Sequence, residues 1–204
     1  LADRDGVSQR RFAAFLVGMG QNSPMETEQH ISTAACSTAD AVIPFTPVNN
    51  AFENAHLSLT IYTTGDALSA IDFVARQSPV APRNTVAEQV VKQLEHYFDD
   101  PQWRFDLPLQ LRGTDFQRRL WSALCDVPAG STNTYGQLAH LLQSGAQAVG
   151  QACRRNPVPI VAPCHRIVSL SGLGGYDGAT GGEKLQIKQA LLAHEGIFDG
   201  RSGG

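Results

Sequence analysis

The sequence predicts a small α/β unit, a short sheet plus one helix, followed by a mostly α-helical unit that carries a helix-turn-helix. Three observations predict it. Residues 56–63 alternate apolar and polar, and residues 67–74 follow across a Gly65-Asp66 turn, as in a half-buried hairpin. Residues 84–98 and 114–124 then repeat apolar positions at helical spacing, each behind a capping side chain. In the second half, two short helical stretches flank Ser144-Gly145, the spacing of a helix-turn-helix.

Composition frames these elements. The 204 residues are 42% hydrophobic and 17% charged, a globular balance sufficient for one large domain or two small ones. No stretch reaches the ~18 consecutive apolar residues that a membrane span requires. The net charge of −3 argues mildly against a nucleic-acid partner, but the charge is uneven. Residues 1–109 carry 7 basic and 13 acidic side chains, net −6, and residues 110–204 carry 9 and 6, net +3. The second half can therefore meet phosphate. Cys36, Cys125, Cys153 and Cys164 form no CxxC pair and suit neither a disulfide framework nor a zinc site, so free thiols in a reducing, cytoplasmic compartment are expected.

In chain order, residues 1–50 read as a tail with little periodicity and many Ser, Thr, Asn and Gln. Arg10-Arg11 precede an apolar run at 12–19. A frayed helix, or a start at Met25, explains it better than the stub of a secretory signal, because no cleavage site follows. Residues 51–109 form the α/β unit, in which Asn84 caps a helix with Val86, Val90, Leu94 and Phe98 on its buried face. No catalytic cluster stands out there; Glu88, Glu95 and His96 read as a solvated helix face. Residues 108–112 form a linker, and 110–204 the second unit. Thr114 caps a helix burying Phe116, Leu120, Trp121 and Leu124. Thr134 caps a short helix over 135–143, and a second runs over 146–154. Ala146, Ala148, Gly150 and Ala152 make that second helix small-sided, which suits either close packing in a core or close approach to another surface. A last helix over 183–194 turns Leu185, Leu191 and Leu192 inward and stops at Gly196.

The chemistry concentrates at Cys164, His165 and Arg166. Pro157, Pro159 and Pro163 precede them and predict a stiff, extended approach. Neighbours on an extended segment point to opposite sides, so His165 should reach the thiol through a water rather than directly. A histidine acting as base needs a third group to orient it, and Glu195 in LLAHEG is a candidate. The glycine-rich run over 171–182 matches no phosphate-binding loop, lacking the GK[ST] signature, and reads as a lid.

The stretch NPVPIVAPCHRIV, followed by GYDGA and KQALLAHEG, closely resembles the O6-alkylguanine-DNA alkyltransferases, also called methylated-DNA–protein-cysteine methyltransferases. The strong similarity spans residues 113–196. The resemblance implies a ribonuclease-H-like N-terminal domain, a winged-helix-like C-terminal domain, and a monomer that repairs double-stranded DNA once, nucleoid-associated if bacterial. It implies that the second helix, with Ala146, Gln147, Ala148 and Gly150, enters the minor groove, and that Arg154 contacts phosphate. Tyr135 would crowd the phosphate, promote base flipping and protonate the guanine, and Asn156 would brace the turn carrying the cysteine. Tyr176 would stack on the flipped base, with the Asp177 backbone N–H at O6 and Gly178 beside it. Cys164 would take the alkyl group irreversibly, with His165 and Glu195 as base and orienter and with neither metal nor cofactor. Two positions depart from the family: Gln147 stands where relatives place an intercalating arginine, and Asp177 where they often place serine. A lesion sensor of the alkyltransferase-like kind would lack the thiol, and a cysteine hydrolase would want an oxyanion motif that the sequence does not show.

Overall fold

Strands β1 (Ala41–Pro44), β2 (Leu57–Thr64) and β3 (Ala67–Ala75) pair antiparallel in that order. The computed structural model describes residues 39–45 and 57–197. The expected tail thus lies outside the described residues except for 39–45, which are not tail at all. Ala41, Val42 and Ile43 are buried and pair in register with Ile61, Thr60 and Leu59. A four-residue strand is too short for periodicity to betray it. The run at 12–19 and the start at Met25 also lie outside the described residues.

The hairpin forms as the alternation predicts, but β2 is central rather than half-buried. Leu57, Leu59 and Ile61 are buried, and so are Ser58 and Thr60 on the opposite face. The two hydroxyls satisfy themselves on backbone, at Gln77 O (3.5 Å) and Asp72 O (3.4 Å). Helix α1 (Thr85–Asp99) covers the sheet with Val86, Ala87, Val90, Val91, Leu94, Tyr97 and Phe98. Asn84 caps it, its Oδ1 accepting from Ala87 N at 2.8 Å, while its Nδ2 donates to Asp40 Oδ1 and Thr63 Oγ1. One side chain thus ties the helix start to two parts of the sheet.

The helical half begins with α2 (Asp115–Cys125), started by a Thr114 capping box and burying Leu120, Trp121 and Leu124. Phe116 is only half-buried, at the edge of the expected stripe. Strand β4 (Asn133–Thr134) pairs parallel with β5 (Ile167–Val168). Helix α3 (Tyr135–Leu141) ends two residues before the expected 143, because Gln143 takes φ 52°. Ser144 N to Ala139 O (2.8 Å) and Gln143 N to His140 O (3.2 Å) close a Schellman end there. Helix α4 (Ala146–Arg154) runs as expected, pinned by Val149, Ala152 and the Trp121 indole N–H on Ala152 O at 3.0 Å.

The two halves are joined by backbone. Leu68 N donates to Pro108 O and Gln110 N to Leu68 O, so the linker adds itself to β3. Ile71 N donates to Pro157 O at 2.8 Å, tying the sheet to the segment before the cysteine. Helix α5 (Gly182–His194) closes the structure with Ile187, Lys188, Ala190, Leu191 and Leu192 inward; Leu185 is half-buried rather than core. Among the described residues no helix is long and apolar enough to cross a membrane.

Replacing Asn84 with alanine removes the cap and both sheet contacts. Urea unfolding should show a loss of about 1–2 kcal/mol with an unchanged slope.

Candidate active site

Residues 157–163 do not make the extended approach that three prolines suggest. They fold into a turn in which Ile160 adopts φ 74° and Ala162 N donates to Val158 O at 2.9 Å. A β-branched residue holds that backbone only under constraint. Asn156 supplies it: Nδ2 donates to Ala162 O at 2.7 Å, and Oδ1 accepts from Val158 N at 3.1 Å. The asparagine thus staples both ends of the turn. Ile160 and Ala162 are fully buried beneath it.

The turn delivers Cys164 as the first residue of a single 3-10 turn, Cys164–Arg166. The thiol is 7% exposed and His165 and Arg166 are buried. Burial pushes the Cys164 thiol up, while the Asn156 side chain, the Lys188 charge and the Tyr176 side chain favour the thiolate and Asp177 opposes it. His165 does not bond Cys164 among the described residues. Its Nε2 lies 2.9 Å from Glu195 Oε1, and its buried Nδ1 has no protein partner. Burial and the nearby cations hold the imidazole below its usual range despite Glu195, so the ring is neutral near pH 7. Nε2 therefore carries the proton that Glu195 accepts, and Nδ1 is left as the basic nitrogen.

Glu195 reaches this place because Gly196 ends α5. Gly196 takes φ 78°, and Ile197 N returns to Leu192 O at 2.9 Å, leaving Glu195 as the cap residue turned inward. Arg166 grips it through Nη2 to Oε1 (2.8 Å) and Nε to Oε2 (3.0 Å), and spends Nη1 on Val127 O. Burial would raise the Glu195 carboxyl, but hydrogen bonds and charge from His165 and Arg166 bring it down to about 2.

Across the thiol, Tyr135 and Tyr176 line the same space. Tyr176 is buried, whereas Tyr135 is half-buried, with its hydroxyl donating to Gly175 O at 3.1 Å. Burial and the nearby thiols push the Tyr135 hydroxyl up to about 12. Asp177, at φ 46°, turns its exposed carboxylate away to Lys184. Gly178 takes φ 78°, which favours glycine, and a Cβ there would also lie 2.5 Å from Arg154 Nε, so the arginine would have to shift. Arg154 therefore lies across the loop, whatever else it meets. Ala146, Gln147 and Ala148 are exposed on α4, and a Cβ on Gly150 would meet nothing within 4 Å. The small side chain at Gly150 is thus not explained by internal packing.

Two neighbours of the site, Lys188 and Tyr97, escaped the sequence reading, and a third was seen without its role. Arg166 was visible beside the thiol, but its carboxylate partner was not assigned. Lys188 is fully buried on the apolar face of α5, its Nζ donating to Ile167 O (2.6 Å), Leu173 O (2.7 Å) and Gly175 O (3.1 Å). Burial lowers its ammonium to about 8, and the Cys164 and Cys153 thiols oppose that shift. It pins the glycine-rich loop to the strand that follows the nucleophile. The available signal was a lysine one turn before Leu191 and Leu192. Tyr97 on α1 donates its hydroxyl to Glu195 Oε1 at 2.9 Å. Among the described residues no group of three or more His, Cys, Asp or Glu could hold a metal ion.

A buried thiol backed by an imidazole and a carboxylate, behind two short helices joined by a tight turn, defines a protein built around one cysteine. Residues 115–197 match the profile of the 6-O-methylguanine DNA methyltransferase DNA-binding domain. A methylated-DNA–protein-cysteine methyltransferase of Methanosarcina mazei is 44% identical over 110 residues, 52% of this chain and 66% of that protein. The protein of that name from Mycolicibacterium paratuberculosis is 46% identical over 108 residues, 52% of this chain and 62% of the relative. The chain thus spans slightly under two thirds of the length of these relatives. The Mycobacterium leprae protein of the same name is 43% identical over 125 residues, 58% of this chain and 75% of its own length. Among solved structures, Mycobacterium tuberculosis OGT in complex with DNA superposes with a TM-score of 0.58 at 38% identity, over 68% of this chain and 86% of that one. This chain belongs to the methylated-DNA–protein-cysteine methyltransferase family.

Because the Glu195 carboxyl is held near 2 against an ordinary 4.5, its stabilising share is complete above about 4.5 and lost as pH falls toward 2. Acid unfolding of Glu195→Gln should be flatter across that window than the wild type. At pH 7 the variant should be about 3–5 kcal/mol less stable, because Arg166 is left buried without its anion.

Proposed function

We propose that this chain repairs O6-alkylated guanine in duplex DNA by taking the alkyl group, methyl in the simplest case, onto Cys164. The observation that carries the reading is the relay Glu195–His165 behind a thiol at the end of a braced turn. Glu195 holds Nε2–H, so Nδ1 can accept the thiol proton through a water. The thiolate sulfur attacks the alkyl carbon in line, an S–C bond forms and the C–O6 bond breaks. The electron pair leaves on guanine, the Tyr135 hydroxyl, turning from Gly175 O, gives it a proton, and the proton that His165 took from the thiol passes through water to restore the phenol. The product is a thioether. Nothing in the site activates a C–S bond for cleavage, so each protein acts once.

Helix α4 is the proposed reading element in the minor groove. Its exposed Ala146 and Ala148, with the open space over Gly150, support close approach to a backbone. Gln147 stands exposed near its start, where it can hydrogen-bond an orphaned base without supplying a cation. Arg154 offers its charge to phosphate while lying on Gly178. Tyr176, Asp177 and Gly178 border the proposed base pocket. The finer fold reading, ribonuclease-H-like before residue 110 and winged-helix-like after it, draws support from the antiparallel β1-β2-β3 sheet under α1 and from the β4–β5 pair flanking α3 and α4.

Intact-protein and peptide mass spectrometry after mixing with duplex DNA carrying O6-methylguanine should find one methyl per chain, on Cys164, and none in Cys164→Ser. Tight binding without transfer would replace repair by lesion sensing.

Base flipping costs roughly a few kcal/mol, and an arginine in the stack offsets part of that. Gln147→Arg should therefore raise the single-turnover rate on duplex DNA by about tenfold, equivalent to ~1.4 kcal/mol, with little change on a single strand. Equal rates for the two proteins on duplex would remove Gln147 from the flipping step.

A further inference from the structure

Glu195 Oε1 receives hydrogen bonds from three residues, and one of them lies outside the cysteine turn. His165 and Arg166 are neighbours on the turn whose imidazole Glu195 must orient. Tyr97 belongs to α1, in the N-terminal half, 98 residues away in sequence. Its ring is buried and fixed by Phe98, Phe105 and His194, with centroids at 5.6, 5.6 and 5.0 Å. Its carbonyl lies 2.8 Å from His194 Nε2, beside Glu195 in the chain. The same half also holds the cysteine turn, through Ile71 N on Pro157 O.

We infer that Tyr97 is a positioning residue of the relay: through its hydroxyl the N-terminal helix holds Glu195, and so the active site is completed by a half of the chain that contributes no nucleophile, base or DNA-reading helix. The inference rests on the relay chemistry proposed above. Without the Tyr97 hydroxyl, the carboxylate would be steadied by its helix end and by the very turn it orients. The hydroxyl also shares Oε1 with the His165 Nε2–H, which moderates how strongly Glu195 draws on the imidazole. The charged and titratable groups facing this pair are Arg166 on the turn, Lys188 and His194 on α5, Tyr97 on α1, and Cys164. Burial and the Glu195 charge hold the Tyr97 hydroxyl well above its ordinary range, so it remains a donor throughout the working pH range.

The test is Tyr97→Phe in the full chain, which keeps the ring contacts and removes only the donor. Two quantities are read: the pH titration of the His165 ring by 15N NMR, and the single-turnover rate of methyl transfer. With one donor gone from Oε1, the His165 midpoint should move up. The transfer rate should fall about three- to tenfold, the usual net reach of one intramolecular hydrogen bond, because Tyr97 acts at second hand through Glu195. Both effects should vanish in a Glu195→Gln background, since Tyr97 acts only through that carboxylate. Fluorotyrosine at position 97, a stronger donor in the same place, should move the midpoint down. An unchanged titration and an unchanged rate in Tyr97→Phe would overturn the inference. A wild type that transfers no methyl while its His165 titration still responds to Tyr97→Phe would sink the repair reading and leave the Tyr97–Glu195 link standing.

Discussion

A carboxylate buried at the end of the last helix sets the terms for everything around it. Glu195 has no exposed side-chain surface, and an isolated anion there would be prohibitive. Its charge is tolerated because Arg166 meets both oxygens and His165 and Tyr97 donate to one. The four groups come from three different pieces of the fold. Arg166 and His165 come from the 3-10 turn, Tyr97 from α1, and the carboxylate itself from a helix stopped by Gly196. Removing the anion would leave Arg166 as the buried, unpaired charge, so the ion pair and the imidazole orientation stand together. Stability and chemistry draw on the same four side chains.

The thiol faces the opposite problem. Its burial disfavours the thiolate, and the surroundings only partly offset that through Asn156, Lys188 and Tyr176. A resting thiol that is largely protonated is protected from casual alkylation or oxidation, because the thiolate is the reactive form. In the proposed reaction, ionisation is coupled to the arrival of the alkyl donor by a neutral imidazole whose Nδ1 has no protein partner. Lys188 contributes twice, as a cation near the sulfur and as a three-pronged clamp on the loop that borders it. Its depressed ammonium shows what that double duty costs in a buried position.

Much of this was legible from residue order because the signals were local. Asn84, Thr114 and Thr134 each announced a helix start by the chemistry of a cap, and the cysteine, histidine and late glutamate were found from their spacing and setting. What was not legible depended on tertiary context. β1 is four residues long and has no period to read. The proline-rich approach is turned rather than extended, because Asn156 bonds across it and holds Ile160 at positive φ. The first helix of the pair stops at a glutamine in a left-handed position, where propensity would expect glycine. Lys188 and Tyr97 looked like ordinary members of amphipathic helices; only the fold reveals that each finds polar partners inside the molecule.

The contact between Arg154 and Gly178 connects the two faces of the protein. The arginine ends α4, the helix proposed to meet DNA, and its side chain occupies the space that any Cβ at Gly178 would need. Gly178 follows Tyr176 and Asp177 in the loop beside the thiol. Lys188 anchors that loop at Leu173 and Gly175, and Lys184 holds Asp177. The end of α4, the loop beside the thiol and the inner face of α5 are therefore packed against one another in series. The loop beside the thiol and the end of α4 thus meet through one long side chain and one absent Cβ.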